Sequence, residues 1–128
     1  MIFVTILMIG CRCPRPQADP DARLFAAIRK VESNGQDLAV NSKEHAYGAY
    51  QCRRGAWLDG GGAEADWPQA AFVRERVEYI MHRYWTRYGA VTDEQKARIW
   101  NGGPRGMRTQ ATKRYWRKVQ EAMRERTD

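Results

Sequence analysis

The sequence contains few cysteines and few histidines. Its 128 residues include three Cys and two His. Cys11, Cys13 and Cys52 are too few for a disulfide scaffold and do not have the spacing of zinc ligands. His45 and His82 are not spaced as ligands of one metal ion. These shortages indicate neither a disulfide-rich domain nor a metalloprotein, and we expect no metal or organic cofactor.

The sequence also lacks an apolar run of the roughly 20 residues that a membrane-spanning helix needs. Its longest run, residues 2–10, is apolar except for Thr5 and is followed by Cys11. Such a run suits the apolar region of a signal peptide.

The sequence Leu7-Met8-Ile9-Gly10-Cys11 resembles a bacterial lipobox, although Met8 replaces the usual Leu and no basic residue precedes the run. A short strand or a mis-set start codon are the alternatives. We expect residues 1–18 to be an export segment with a Pro-rich linker. The protein would then be exported: periplasmic, an outer-membrane or cell-surface lipoprotein anchored through Cys11, or secreted.

Acidic residues are outnumbered. The chain has 22 Lys and Arg against 15 Asp and Glu, a formal net charge of +7. Residues 104–128 hold eight of the basic residues and only three acids. This excess predicts attraction to a polyanion: nucleic acid, anionic lipid or an acidic cell-wall polymer. We do not expect nucleic-acid binding, because no DNA-binding motif is present and Val119 and Met123 turn one helix face to the core.

The remaining sequence predicts one mainly α domain of the α+β type, residues 19–128. About four helices are expected: from Asp19-Pro20 to Ser33, from Asp66-Trp67-Pro68 to Gly89, from a capping box at Thr92 to about residue 100, and from Thr109 to about Arg126. Alternation and glycine in residues 36–56 predict a small irregular β-hairpin insertion lining a cleft, and residues 59–63 a loop.

Glu32 is the first candidate for chemistry. It lies in the last turn of the first predicted helix, beside the apolar stripe of Phe25 and Ile28. Partial burial and the negative end of the helix dipole both disfavour its charged form and should raise its pKa. A carboxyl that keeps its proton near neutral pH suits a general acid. The alternative is a surface glutamate bonded to Arg29 or to a backbone N–H.

Three segments of the sequence together form a pattern that is found in a known family. They are Glu32-Ser33-Asn34-Gly35, Ala46-Tyr47-Gly48-Ala49-Tyr50-Gln51 and Ala97-Arg98-Ile99-Trp100-Asn101-Gly102-Gly103-Pro104-Arg105-Gly106, with Tyr115-Trp116 downstream. In this order and spacing they resemble the lysozyme-like superfamily, most closely the invertebrate-type (destabilase-like) lysozymes and their bacterial relatives. The Glu-Ser-x-Gly and Gly-x-x-Gln pieces also resemble the lytic transglycosylases.

The resemblance implies a lysozyme-like fold and a site for peptidoglycan glycan strands. Glu32 would be the general acid, Gly48 and Gln51 would line the cleft, and Asn101 would face Glu32 across it. Gly48 and Gly102 would let the backbone approach a sugar closely. Four aromatic residues are candidates for stacking on sugar rings, although core packing is the alternative for each: Tyr47, Tyr50, Trp57 and Trp100.

The second carboxylate is less well defined. Glycoside hydrolysis ordinarily uses two, and the family's aspartate is replaced here by the sequence Asn41-Ser42-Lys43-Glu44. Glu44 is our candidate, since Asp37 stands too close to the helix end. The expected function is a monomeric muramidase that cleaves the β-1,4 bonds between N-acetylmuramic acid and N-acetylglucosamine. A one-carboxylate lytic transglycosylase, a non-catalytic peptidoglycan-binding module and a basic polyanion binder are the alternatives.

Overall fold

The computed structural model describes residues 10, 13–15 and 17–125. The lipobox cysteine Cys11 and most of the proposed export segment lie outside the described residues. Within the described part of the chain, no helix is both long and apolar enough to cross a membrane.

Five α-helices form most of the described structure. They are α1 (Ala22–Ser33), α2 (Arg54–Asp59), α3 (Arg74–Arg87), α4 (Asp93–Gly102) and α5 (Gln110–Glu125). Three short 3₁₀-helices connect them, at Glu64–Asp66, Gln69–Phe72 and Gly106–Arg108. This agrees with a mainly α domain, but with one more helix than the sequence analysis predicted.

The predicted β insertion is a three-stranded antiparallel sheet. Its strands are β1 (Val40–Asn41), β2 (Ala46–Tyr47) and β3 (Cys52–Arg53), in the order β1-β2-β3. Val40 pairs with Tyr47, and Ala46 pairs with Arg53. The sheet follows α1 directly and precedes α2, so it brings residues 40–53 beside the carboxyl end of α1.

Helix α1 begins later than predicted and ends where predicted. The Asp19 side chain accepts a hydrogen bond from the Asp21 backbone N–H at 2.8 Å, so it caps a turn and the helix starts only at Ala22. At the other end Asn34 adopts the left-handed conformation, with φ 55° and ψ 32°. Asn is one of the few residues that take this conformation at low cost, and the helix stops there.

The helix predicted from Asp66 is wrong over its first part. Residues 64–72 instead form two 3₁₀-helices around a cis Trp67–Pro68 peptide, and α3 begins at Arg74. Ala70 and Ala71 are buried in this segment. Packing against the β insertion therefore outweighs the helical periodicity of residues 66–73. The unpredicted α2 is only six residues long and contains Gly55, so it gives no periodic signal.

The core is built around α1. Leu24, Phe25, Ala27 and Ile28 are each at most 2% exposed. The Phe25 ring stacks on Trp85 of α3, with ring centroids 5.5 Å apart. Helix α1 also packs along α5 and touches α4. Helix α1, whose last turn carries Glu32, is therefore packed against α3, α4 and α5.

A buried arginine fixes the chain that follows α4. Arg98 is 4% exposed, and its guanidinium donates to Thr112 Oγ1 at 3.1 Å and to the Met107 carbonyl at 3.0 Å. The Thr112 hydroxyl donates in turn to the Gly106 carbonyl. These bonds tie residues 106–109 to α4 and α5, and so position residues 101–104 as one wall of a cleft.

Candidate active site

A cleft of about 500 Å³ separates the β insertion and α2 from the end of α4. The residues that line it come from five parts of the chain: Glu32 of α1; Asn41, Glu44, Ala46, Gln51 and Arg53 of the β insertion; Gly55, Ala56 and Asp59 of α2; Tyr84 of α3; and Trp100, Asn101, Gly103 and Pro104. Five of the predicted site residues therefore share one cleft: Glu32, Glu44, Gln51, Trp100 and Asn101.

Glu32 is half-buried in the cleft wall, in the last turn of α1. Burial raises its pKa from the ordinary 4.5 to about 7, because the charged carboxylate loses water there. The Tyr115 hydroxyl and the positive charge of Arg53 act in the opposite direction, and the negative charge of Glu44 adds to the rise. At neutral pH a substantial fraction of Glu32 therefore carries its proton, as a general acid requires.

The Tyr115 hydroxyl lies close to this carboxyl from the α5 side. Among the described residues it is the one buried side-chain polar atom without a hydrogen-bond partner of ordinary geometry. Burial raises the pKa of Tyr115 well above its usual value, and the nearby Glu32 raises it further. The hydroxyl therefore stays protonated, with its O–H beside the Glu32 carboxyl.

Glu44 stands at the rim of the same cleft. Its carboxylate accepts a hydrogen bond from Arg53 at 2.8 Å, and both side chains are exposed. The Glu44 backbone N–H donates to Asn41 Oδ1 at 3.2 Å, which fixes the turn between β1 and β2. Because this carboxylate is solvated and paired with a cation, its surroundings differ strongly from those of Glu32.

The floor of the cleft is formed by Gln51 and Trp100. Gln51 adopts a φ of 49°, and its side-chain amide donates to the Gly48 carbonyl at 3.1 Å. The Trp100 indole N–H donates to the Tyr50 carbonyl at 3.0 Å, and only 8% of the residue is exposed. Trp100 therefore contributes a ring edge to the cleft and joins α4 to the β insertion, while Asn101 follows it on the opposite wall from Glu32.

Two aromatic candidates for sugar stacking are instead core residues. Tyr50 is fully buried, and its hydroxyl donates to Glu78 Oε1 at 2.5 Å. Trp57 is 2% exposed, and its indole N–H donates to the Ala63 carbonyl at 2.9 Å. The prediction that these rings contact sugars is wrong, because both are enclosed by protein.

Three further candidates lie outside the cleft lining. Tyr47 is half-buried and packs edge-on against Trp67 and Phe72, with centroids 5.4 and 6.0 Å away. Gly48 is buried, and a Cβ there would lie 1.9 Å from a backbone oxygen of residue 71. A Cβ at Gly102 would lie 2.4 Å from the Thr112 side chain. Both glycines permit close packing within the protein, and not approach to a sugar as predicted.

The cleft also contains side chains that the sequence analysis did not select, notably Arg53, Asp59 and Tyr84. Asp59 ends α2, and its Oδ2 accepts a hydrogen bond from the Tyr88 hydroxyl at 2.8 Å. No signal in the sequence points to this residue, because the pattern of residues 59–63 predicts a loop and α2 is not predicted at all. Asp59 adds a third carboxylate to the cleft lining.

One cluster outside the cleft has ligand chemistry for a metal. The side chains of Asp19, Asp21 and His82 place possible ligand atoms within 4.8 Å of one another. Both Asp21 oxygens, however, accept from Lys96 Nζ at 3.0 Å, and His82 Nε2 lies 2.8 Å from Asp19 Oδ2. The cluster therefore joins the start of α1 to α3 and α4 through its own charge pairs.

Solved structures share this arrangement of helices and sheet. One chain of the crystal structure of Aeromonas hydrophila PliI in complex with Meretrix lusoria lysozyme matches with a TM-score of 0.69 and 26% identity, over 78% of this chain and 88% of that one. Tapes japonica lysozyme matches with a TM-score of 0.70 and 24% identity, over 77% and 87% of the two chains. The fold class is thus lysozyme-like α+β, as predicted.

Two bivalve lysozymes are among the relatives that match in sequence. Lysozyme 1 of Crassostrea virginica is 41% identical over 102 residues, which cover 73% of this chain and 54% of that protein. Lysozyme of Magallana gigas is 33% identical over 112 residues, or 82% of each chain. This chain thus spans about half the length of the first relative and most of the second. No protein-family model matches the chain. The chain belongs to the invertebrate-type lysozymes, a family of glycosidases, which confirms the predicted resemblance.

Proposed function

We propose that this protein is a muramidase that hydrolyses the β-1,4 bond between N-acetylmuramic acid and N-acetylglucosamine in peptidoglycan. The observation that carries the proposal is Glu32, a carboxyl with a pKa raised to about 7 in the wall of an open cleft. Trp100 and Asn101 line the same cleft, which supports the proposal.

Glu32 acts as the general acid in this proposal. Its proton passes to the glycosidic oxygen as the bond to the anomeric carbon breaks and an oxocarbenium-like centre develops. Burial serves this transfer because it keeps the proton on Glu32 at neutral pH until the glycosidic bond breaks.

Glu44 takes the second role in the hydrolytic form of the mechanism, where its carboxylate stabilises the cationic centre or directs water to it. Support comes from its position in the lining of the same cleft and from its repulsion of the Glu32 charge. Its ion pair with Arg53 keeps the carboxylate group in place at the rim.

The same ion pair favours a second candidate, a lytic transglycosylase. Arg53 neutralises Glu44, and both side chains are well solvated. If Glu44 serves only to hold Arg53, Glu32 is the sole catalytic carboxyl. The muramoyl 6-hydroxyl would then attack the anomeric carbon and leave a 1,6-anhydro end instead of a reducing end.

Digestion of purified sacculi tests these proposals. Wild type, Glu32→Gln and Glu44→Gln are compared, and the released fragments are identified by mass spectrometry. Reducing ends support hydrolysis, and anhydro ends support transglycosylation. Undiminished release by Glu32→Gln would refute the role of Glu32, and no release by wild type would favour a non-catalytic peptidoglycan-binding module.

Export remains part of the proposal. Its support is the apolar run that ends at Cys11 and the secreted nature expected of a wall-degrading enzyme. Incorporation of radiolabelled palmitate into wild type, but not into Cys11→Ser, would demonstrate a lipid anchor. Cleavage without labelling would indicate an ordinary signal peptide. Sedimentation tests the expected monomer.

A further inference from the structure

Basic residues without a carboxylate partner are concentrated in one part of the chain. Over most of the domain an Arg or Lys faces a carboxylate, as in Arg54–Glu64 at 2.7 Å and Arg76–Asp66 at 2.9 Å. The sequence has no Asp or Glu between Glu94 and Glu121. Six exposed cations in that interval form no ion pair with any carboxylate among residues 13–15 and 17–125: Arg105, Arg108, Lys113, Arg114, Arg117 and Lys118. We call these six residues the basic face.

Helical geometry puts four residues of the basic face on one side of α5. Lys113 and Arg117 are four residues apart, as are Arg114 and Lys118, so the two pairs form adjacent rows on the helix surface. The opposite side of α5 is buried through Tyr115, Val119 and Ala122. Side chains of like charge so close together repel one another, which an anionic partner would relieve.

The basic face continues to the cleft. Gly103 and Pro104 line the cleft, and Arg105 follows directly, with Arg108 one 3₁₀ turn further on. A polymer bound along the six cations would therefore reach the mouth of the cleft.

We propose that the basic face binds a polyol-phosphate polymer of the cell wall, a chain of regularly spaced phosphodiesters. The choice of this polymer rests on the proposed function, which places the enzyme in the wall. A membrane surface fits less well, because the apolar side of α5 is packed in the core and cannot insert into lipid. Single-stranded nucleic acid fits less well, because none of the six residues is aromatic and the neighbouring Trp116 packs against the core, so bases would have no free ring on which to stack.

Direct binding measurements test the proposal. Fluorescence anisotropy with labelled poly(glycerol phosphate) compares wild type with a variant carrying Lys113→Gln, Arg114→Gln, Arg117→Gln and Lys118→Gln. A control variant removes the same charge elsewhere through Arg23→Gln, Lys30→Gln, Lys43→Gln and Arg54→Gln. Gln keeps helix propensity close to that of Lys and Arg, and circular dichroism checks that both variants are folded.

The basic-face variant should bind about tenfold or more weakly at 0.1 M salt, and the slope of log affinity against log salt should fall by about 3, since four phosphate contacts are lost. The control variant should bind nearly as wild type does. Equal weakening in both variants would overturn the proposal, because net charge alone would then explain binding. Tighter binding to single-stranded DNA, or to vesicles with anionic lipid, would also overturn it.

Hydrolysis of phosphate-free peptidoglycan separates this proposal from the proposed function. The basic-face variant should retain wild-type activity on that substrate, and Glu32→Gln should still bind poly(glycerol phosphate). Loss of both activities in the basic-face variant would place these cations in glycan binding and refute a separate surface.

Discussion

Replacing the Glu32 carboxyl should make the protein more stable in neutral and alkaline solution. In the folded protein Glu32 keeps its proton up to about pH 7, whereas the ordinary pKa of 4.5 applies in the unfolded chain. Between these two values the folded state binds more protons than the unfolded state, so the free energy of unfolding falls as pH rises. Above pH 7 both states are charged and the loss is complete.

The magnitude follows from the two pKa values. Their separation corresponds to about 3 kcal/mol of unfolding free energy, with 1.36 kcal/mol for each pH unit. Because Glu32 is only half-buried, we take this as the upper value. Glu32→Gln keeps the size and polarity of the side chain but has no charge to bury. It should match wild type near pH 4 and exceed it by up to about 3 kcal/mol at pH 8.

Urea unfolding at pH 4 and at pH 8 measures the effect. The other titrating groups are common to both proteins, so the difference between wild type and Glu32→Gln isolates this residue. Glu44→Gln provides the control, because its exposed side chain should give a small difference at both pH values. If Glu32→Gln differs from wild type equally at pH 4 and pH 8, Glu32 does not carry a raised pKa and its assignment as the acid loses its physical basis.

Three further predictions concern activity and stability. The rate on peptidoglycan should fall as pH rises through about 7, because Glu32 then loses its proton. Glu44→Gln should move this fall in rate to lower pH, because the Glu44 charge raises the Glu32 pKa. A pH profile that Glu44→Gln leaves unchanged would argue against coupling of the two carboxyls. In thermal unfolding, Gly48→Ala should lower the free energy of unfolding by more than about 4 kcal/mol, because the new Cβ clashes with backbone. Gly35 also has a positive φ but has open space around it, so Gly35→Ala should lower the free energy of unfolding by only about 1 kcal/mol. Thr92→Ala should cost about 1 kcal/mol in urea unfolding through loss of the capping box, and no measurable loss would contradict that cap.

The sequence predicts correctly those features of the structure that local chemistry decides. The capping box at Thr92 is formed as predicted, with its hydroxyl accepting from the Gln95 N–H at 3.1 Å. The position of Glu32 in a last helical turn beside apolar residues correctly indicated a raised pKa. The cap depends only on residues within one helical turn. The Glu32 pKa also depends on Tyr115, Arg53 and Glu44 from other elements, so the local sequence indicated only the direction of its shift.

The sequence does not predict those features of the structure that depend on packing between distant parts of the chain. Tyr50 and Trp57 were candidates for sugar stacking, but nothing in the local sequence distinguishes an aromatic ring in a cleft from one in the core. Asp59 was missed because its place in the cleft depends on the unpredicted α2. The role of Gly48 depends on residue 71, which lies on a different element and becomes a neighbour only in the folded chain.

The burial of Glu32 also explains why its helix is so apolar. Burial of this carboxyl lowers the free energy of unfolding by up to about 3 kcal/mol above neutral pH. The helix that carries it must therefore be stabilised by other contacts. Phe25 and Ile28 of α1 are at most 2% exposed, and burial of each such side chain stabilises the fold by about 1.5–3 kcal/mol. Helix α5 contributes Val119 to the same core and Tyr115 beside the carboxyl, while its other side carries the basic face. One helix thus supports the acid from within and presents cations outside. Substitutions on its outer side should therefore alter polymer binding without moving the Glu32 pKa, and a shift of the pH profile in the basic-face variant would refute that separation.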